Sequence, residues 1–226
     1  VKVNGADFSS DFVINNTDIF TAYSSILSDV PLSERLATQE PSSSALIFYW
    51  GVKGDYPQLD VHNVLFSGNY WAEFQAMEAK TIYSDPTVYI FITSKMINDD
   101  APKGHENWFV MINTPENINQ NWEELRLTAK ASILSKIKKT LGLDIEKNIV
   151  FEEFLDPERI EQRTGSFRGS LYGISSNNRM AAFNRHPNRS KNVKGLYFVG
   201  GSVHPGGGIP LCLASAKIVD SYFKPL

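Results

Sequence analysis

"GLYFVGGSVHPGGGIPLCLASAK", residues 195–217, joins a bulky apolar run, Leu196 to Val199, to five glycines and two prolines. Glycine has no Cβ, so it permits positive φ and lets another molecule approach the main chain closely. Pro205 and Pro210 stiffen the same segment. The pattern indicates that something lies against this backbone.

The order of this segment predicts a buried strand, a glycine turn and a helix from about Pro210 to Tyr222. A helix begins with unpaired N–H groups that carry partial positive charge. Such an end suits a phosphate or another electron-rich acceptor atom. The alternative is a glycine-rich turn that only connects two core elements, and the pattern alone leaves both readings open.

Composition excludes several classes of function. The chain has 226 residues, 42% of them hydrophobic, and a net charge of −3, which is typical of a globular protein and offers no basic stripe for nucleic acid. The single cysteine, Cys212, rules out an internal disulfide framework and fits a reducing compartment. No apolar run reaches the length of about 18 residues that crosses a bilayer, and no signal peptide is visible.

The remaining patterns predict alternating strands and helices. Asn4-Gly5 marks a hairpin turn, and the short strand from Asp11 to Asn15 has the apolar character of a strand buried on both faces. A free-standing domain rarely begins with a hairpin that leads into a buried strand, so the sequence predicts that the chain is part of a longer one. Strand formers dominate the middle of the chain. The longest predicted helix ends at Gly142.

Four segments resemble the phytoene desaturase-like (carotenoid desaturase) family of FAD-dependent oxidoreductases. They are "LYFVGGSVHPGGGIPLCLASAK", "DFVINNTDIF" at 11–20, "SDPTVYIFITSKMINDDAPKGHENWFVMINTP" at 84–115, and "TGSFRGSLYG" at 164–173. In that family a GxGxxG turn near the N-terminus binds the ADP part of FAD, and this sequence contains no such turn. The resemblance therefore implies a C-terminal part of such a protein, with FAD absent from the isolated part and the part itself inactive.

The resemblance assigns the glycine turn to the cofactor. It implies that Gly200, Gly201 and Ser202 approach the ribityl–pyrophosphate part of FAD. It also implies that the residues that open the helix bring backbone N–H groups to the flavin ring, namely Gly207, Gly208, Ile209, Pro210 and Leu211. The catalytic residue is not identified; His204 is either a proton acceptor or a turn residue bonded to backbone.

Other polar residues carry weaker signals. His62, His105 and His186 have no metal-ligand spacing, so no metal is predicted. The arginines that precede the final strand are either solvated or paired, or they contact cofactor phosphate or lipid headgroups: Arg168, Arg179, Arg185 and Arg189.

Aromatic residues cluster in the middle of the chain, among them Phe48, Trp50, Tyr89 and Phe91. They form either an ordinary sheet core or one wall of a tunnel for a long apolar polyene. The helical stretch "LTAKASILSKIKKTLGL" at 127–143 is either a packed helix or a peripheral contact with the inner face of a membrane from the cytoplasm. It offers lysines beside apolar residues, namely Lys136, Lys138 and Lys139 beside Ile133, Ile137 and Leu141.

These observations predict an α/β (α+β) chain with a mostly antiparallel sheet. Residues 1–40 are expected to form the tail of a Rossmann-like FAD-binding domain, 41–165 the substrate domain, and 166–226 the return into the FAD-binding domain. The resemblance implies hydride transfer from an allylic C–H of a carotenoid to flavin. The alternatives are a retinol saturase-like or amine oxidase-like flavoprotein, or a non-catalytic module that binds an apolar ligand.

Overall fold

The computed structural model describes residues 1–175 and 184–223. Its strands are β1 Lys2–Val3, β2 Ala6–Asp7, β3 Val13–Asn15, β4 Ser44–Lys53, β5 His62–Leu65, β6 Val88–Phe91, β7 His105–Thr114, β8 Ile149–Leu155 and β9 Leu196–Phe198. Its α-helices are α1 Ile19–Thr21, which continues as a π-helical turn over Ala22–Ile26, α2 Glu34–Ala37, α3 Tyr70–Glu78, α4 Trp122–Leu141, α5 Pro157–Thr164 and α6 Ile209–Ser221. None of the helices in residues 1–175 and 184–223 combines the length and the hydrophobicity of a membrane-spanning segment.

The chain divides into two compact units. The first unit comprises Val1–Ser42 and Thr164–Leu226, as far as these residues are described, and the second comprises Ser43–Arg163. The predicted α/β class with a mostly antiparallel sheet is confirmed, because helices accompany a five-stranded sheet in which every described pairing is antiparallel.

In the first unit, β3 and β9 pair in parallel, with Val13 opposite Leu196 and Asn15 opposite Phe198. Phe198 is fully buried and packs with residues from the 13–36 segment and from the glycine turn. A parallel pair needs a crossover connection because both strands run the same way. The start of the chain and its last strand therefore form one small core.

The strand at 11–15 is not buried on both faces, contrary to the sequence-based expectation. Phe12 and Ile14 are 54% and 55% exposed, whereas Asn15 is buried. Within the described residues β3 has β9 as its strand partner, and the core of this unit covers only one of its faces. An apolar run predicts where burial is possible but does not specify what covers it.

In the second unit the strand order is β5-β6-β7-β4-β8. Its core face carries alternate residues of the strands, including Phe48, Trp50 and Ile90, and it packs against α4. Gly142 ends α4 in the left-handed conformation with φ of 71°, which glycine adopts without the penalty of a Cβ.

The isoleucines that the sequence offered for membrane contact do not face outward from α4. Ile133 and Ile137 are fully buried in the core of the second unit. The Lys136 side chain is also buried, where Nζ donates to the Phe66 carbonyl oxygen at 2.8 Å and pairs with Asp85. The packed-helix interpretation is therefore correct for α4.

Candidate functional site

The glycine turn between β9 and α6 packs closely against its own chain. A Cβ built on Gly207 would lie 2.7 Å from the Tyr172 Cβ and 2.8 Å from the Tyr172 Cα. Real side chains do not approach so closely, so this position requires glycine for internal packing. Part of the glycine content is thus explained without any ligand.

The start of α6 leaves room and hydrogen-bond donors. Gly208 precedes the helix with φ of 91°, and a Cβ placed there would meet nothing within 4 Å. The Leu211 and Cys212 N–H groups both donate to the Gly208 carbonyl, at 3.1 and 2.9 Å. Within residues 1–175 and 184–223, no backbone or side-chain acceptor takes the N–H groups of Gly207, Gly208 and Ile209. These three groups remain available to an electron-rich atom from outside the chain.

The first half of the turn is tied to neighbouring elements. The Gly200 N–H donates to Ser215 Oγ at 2.8 Å. The Ser202 hydroxyl accepts from the Ile19 N–H at 3.0 Å, which joins the turn to the start of α1. Gly201 has an ordinary φ, and a Cβ there would be 3.4 Å from the Gly207 Cα. These residues brace the turn, and Ser202 uses its oxygen within the chain.

The Arg185 guanidinium binds backbone carbonyl oxygens of the glycine turn and of the segment beside it, a role that the sequence did not reveal. Its side chain is buried, and Nη1 donates to the carbonyl oxygens of Gly201 at 2.9 Å and Tyr172 at 3.1 Å. Nη2 donates to the Ile174 carbonyl at 2.8 Å. Burial lowers the pKa of this guanidinium, which is nevertheless far too basic to lose its charge. Arg189 is exposed, and Arg179 lies outside the described residues.

His204 takes part in the turn through its backbone. Its N–H donates to the His186 carbonyl at 2.9 Å, and its carbonyl accepts from Asn188 Nδ2 at 2.8 Å. The peptide bond that follows, to Pro205, is cis. The structure therefore shows a backbone role for His204.

The buried His186 ring and the half-buried Tyr23 hydroxyl lie next to this backbone. His186 Nδ1 lies 2.7 Å from the Pro187 carbonyl, to which it must donate, so Nε2 accepts from the Tyr23 hydroxyl at 3.0 Å. Burial lowers the pKa of His186 and raises that of Tyr23. Both shifts favour the neutral forms of the two side chains. Sequence spacing indicated only that His186 was not a metal ligand and did not reveal its contact with Tyr23.

Among the described residues, no group of three or more His, Cys, Asp and Glu side chains could hold a metal ion.

The sheet of the second unit divides the four predicted substrate residues between its two faces. Phe48 and Trp50 are buried in the core with 0% and 1% exposure. Tyr89 and Phe91 lie on the opposite face, because successive strand residues alternate and Phe91 pairs with Phe109, which pairs with Tyr49. The four side chains therefore do not face one surface, although Trp50 and Phe91 both belong to the lining of one cavity and Phe48 and Tyr89 do not.

The face that carries Tyr89 and Phe91 is aromatic and partly open. The Tyr49 and Phe109 rings meet edge to face at 5.6 Å, and Phe91 stacks on His62 at 4.9 Å. A cavity of about 560 Å³ opens over this face, a size typical of small-molecule sites. Its walls include Tyr49, Phe91, Thr93, His105, Asn107, Phe109 and Phe151.

The chain is similar to several known proteins. It is 60% identical over 210 residues to a 1-hydroxycarotenoid 3,4-desaturase from Flavobacterium sp. (strain P99-3). The aligned region covers 92% of this chain and 43% of that protein. It is 31% identical over 227 residues to a 4,4'-diaponeurosporene oxygenase from Staphylococcus haemolyticus (strain JCSC1435), covering 99% of this chain and 45% of that protein. No family model matches the chain.

A solved structure supports the fold. An oxidoreductase from Methanosarcina mazei aligns with a TM-score of 0.50 at 13% identity, covering 96% of this chain and 44% of that one. At this identity the likeness concerns the fold alone. The chain spans less than half the length of the curated relatives it matches, at 43% and 45% of theirs. Over nearly its whole length the chain is therefore similar to part of proteins named as carotenoid desaturases and oxygenases.

Proposed function

We propose that this chain is part of an FAD-dependent oxidoreductase that desaturates a long carotenoid. The observation that carries the proposal is the open start of α6, with three available N–H groups, in a chain 60% identical to a protein named 1-hydroxycarotenoid 3,4-desaturase. In this proposal the first unit contributes to the cofactor-binding domain and the second unit binds the polyene. The domain roles expected from the sequence are part of this proposal.

The residues at the start of α6 fit an isoalloxazine edge. The backbone at Gly208 has no side chain in the way, and the N–H groups of Gly207, Gly208 and Ile209 are available as donors. A helix N-terminus stabilises negative charge that develops on a bound group. When bound, FAD supplies the acceptor for the hydride that leaves an allylic C–H. Gly200, Gly201 and Ser202 support this role by bracing the turn, with Arg185 behind it.

The aromatic face of the second unit fits the polyene. Flat aromatic walls bury a large apolar area at low entropic cost. Tyr49, Phe91 and Phe109 line the 560 Å³ cavity, and Tyr89 contacts the Phe109 ring outside the lining. We assign Tyr89 and Phe91 to substrate contact. Phe48 and Trp50 support the sheet from its core face. His204 remains the candidate for accepting the proton that the substrate loses.

The relatives favour desaturation over oxygenation. The relative named as a desaturase is 60% identical, whereas those named as oxygenases from two Staphylococcus species are 31% and 33% identical. A retinoid, an amine or a purely bound apolar ligand has no comparable support among these relatives. We therefore place the reaction with desaturation of a hydroxylated or late carotenoid.

We also propose that the protein meets its insoluble substrate at the cytoplasmic side of a membrane. Aromatic side chains are exposed at the start of helix α3 and just after β5. Tyr70 and Trp71 of α3 are 53% and 73% exposed, and Phe66, which follows β5, is 73% exposed. Tryptophan and tyrosine favour the lipid headgroup layer because one end of each side chain is apolar and the other is polar. Lys139 is exposed and lies near Asp85, which accepts from the Gly68 N–H just before α3.

A chimera tests the proposed function. The homologous 210 residues of the 60%-identical desaturase would be replaced by those of this chain, and the purified chimera examined for flavin absorbance and for conversion of a 1-hydroxycarotenoid. We expect stoichiometric flavin and a product with one more conjugated double bond. A folded chimera that carries flavin but leaves the carotenoid unchanged would contradict the proposed reaction.

A further inference from the structure

We propose that the cavity over the aromatic face recognises an oxygen-bearing end of its ligand, through His105, Thr93 and Asn107. This inference rests on the proposed function, because it assumes that a polyene occupies the cavity. It adds the chemical feature that is selected and the residues that select it.

The cavity has an apolar side and a polar end. Tyr49 and Phe109 pair across β4 and β7, and Phe91 follows on β6 in the same row. On β7, Asn107 lies two residues before Phe109, and His105 lies two residues before Asn107. All three side chains therefore lie on the same face, because strand residues alternate between faces. Thr93 follows β6 and hydrogen-bonds to Asn107, so polar atoms gather beyond the aromatic row.

The hydrogen bonds already made leave a specific set of groups available. Asn107 Oδ1 accepts from the Ser94 N–H at 2.9 Å, and Nδ2 donates to Thr93 Oγ1 at 2.6 Å. This arrangement fixes the amide orientation and leaves the second Nδ2 hydrogen for another acceptor. Thr93 Oγ1 serves as an acceptor in this pair, and no group in the described part of the chain takes its own hydrogen.

His105 supplies the acceptor. Its Nδ1 lies 3.3 Å from the Lys103 carbonyl oxygen, which can only accept, so Nδ1 carries the hydrogen in this contact. In the neutral ring Nε2 then bears a lone pair. The polar end thus combines an acceptor on His105 with donors on Thr93 and Asn107.

A hydroxyl group matches this combination because it donates one hydrogen bond and accepts others. A hydrocarbon end would leave the polar groups without partners and deprived of water, which weakens binding. A carboxylate end is disfavoured because Asp100 also lines the cavity. The geometry therefore favours a neutral oxygen substituent at one end of the polyene.

Binding of two matched polyenes to the full chain tests this inference. The probes are an acyclic C40 polyene with a terminal tertiary hydroxyl and its hydrocarbon analogue, dispersed in the same detergent, with quenching of tryptophan fluorescence as the readout. Two hydrogen bonds between neutral groups predict that the hydroxylated probe binds about tenfold more tightly. His105→Phe should abolish this preference while leaving hydrocarbon binding unchanged or stronger.

Two further variants keep the result interpretable. Thr93→Val removes one donor and should reduce the preference without enlarging the cavity, which serves if His105→Phe does not fold. His62→Phe is the matched control, because His62 stacks on the same aromatic face but does not line the cavity. Equal binding of both probes by the unsubstituted chain, or an unchanged preference in both cavity variants, would overturn the inference. Failure of both probes to bind would overturn the inference together with the polyene site of the proposed function, whereas binding of the hydroxylated probe alone would support the inference.

Discussion

Replacing Gly207 by alanine should destabilise the first unit, because the added methyl group has no space. The new Cβ would lie 2.7 Å from the Tyr172 Cβ and 2.8 Å from its Cα. Carbon atoms in contact prefer about 3.5–4.0 Å, so roughly 0.8 Å or more must be gained by movement. The obstructing atoms belong to the main chain and the root of a side chain, which cannot rotate away. Overpacking of this kind costs about 1–3 kcal/mol.

Gly201→Ala is the matched control in the same turn. Its Cβ would be 3.4 Å from the Gly207 Cα and 3.5 Å from Cys212 Sγ, in ordinary or slightly tight contact, and its φ is not positive. Its effect on the free energy of unfolding should stay within about 0.5 kcal/mol.

Hydrogen exchange followed by mass spectrometry is the suitable assay, because all four tryptophans lie in the second unit and fluorescence would not report on the turn. We expect Gly207→Ala to accelerate exchange in peptides that cover 170–175 and 196–212. Gly201→Ala should leave the same peptides protected. If Gly207→Ala exchanges as slowly as the unsubstituted chain, the internal packing argument for this glycine is wrong.

Three other substitutions and one binding measurement have defined outcomes. Arg185→Leu should destabilise the first unit by about 2–4 kcal/mol, since three carbonyl oxygens lose a buried charged donor, and hydrogen exchange at 172–174 measures it. Asp85→Asn should lower stability at neutral pH: the Lys136 hydrogen bond lowers the Asp85 pKa, so its contribution is present above the unfolded-state value and is lost as pH falls through the lower folded-state pKa. Urea unfolding midpoints of the two proteins should therefore differ at pH 7 and converge in acid; a constant gap would exclude this linkage. Trp71→Ala should reduce co-sedimentation with anionic liposomes at low salt, and equal sedimentation would show that α3 does not bind lipid. The chain by itself should bind FAD weakly, because it contains no GxGxxG turn for the ADP part, and tight stoichiometric quenching of FAD fluorescence would contradict this.

Much of the local structure follows from the sequence. Asn4-Gly5 forms the hairpin with positive φ at both residues, and the longest helix ends at a left-handed Gly142. The final segment forms strand, glycine turn and helix as its pattern predicts. These features depend on steric limits within a few residues, so a short window contains the information that determines them.

Only the tertiary structure decided which surfaces are open. Phe48 and Tyr49 are neighbours of similar character, yet one is fully buried and the other exposed, because α4 covers a single face of the sheet. In the sequence, Arg185 is not distinguished from the other arginines of its segment. Its three carbonyl partners lie 11 to 16 residues away along the chain, and only folding brings them into contact with it. The residue types and the turn are local properties of the sequence. The choice of face, partner and cavity depends on contacts between distant segments, and no local pattern encodes those contacts.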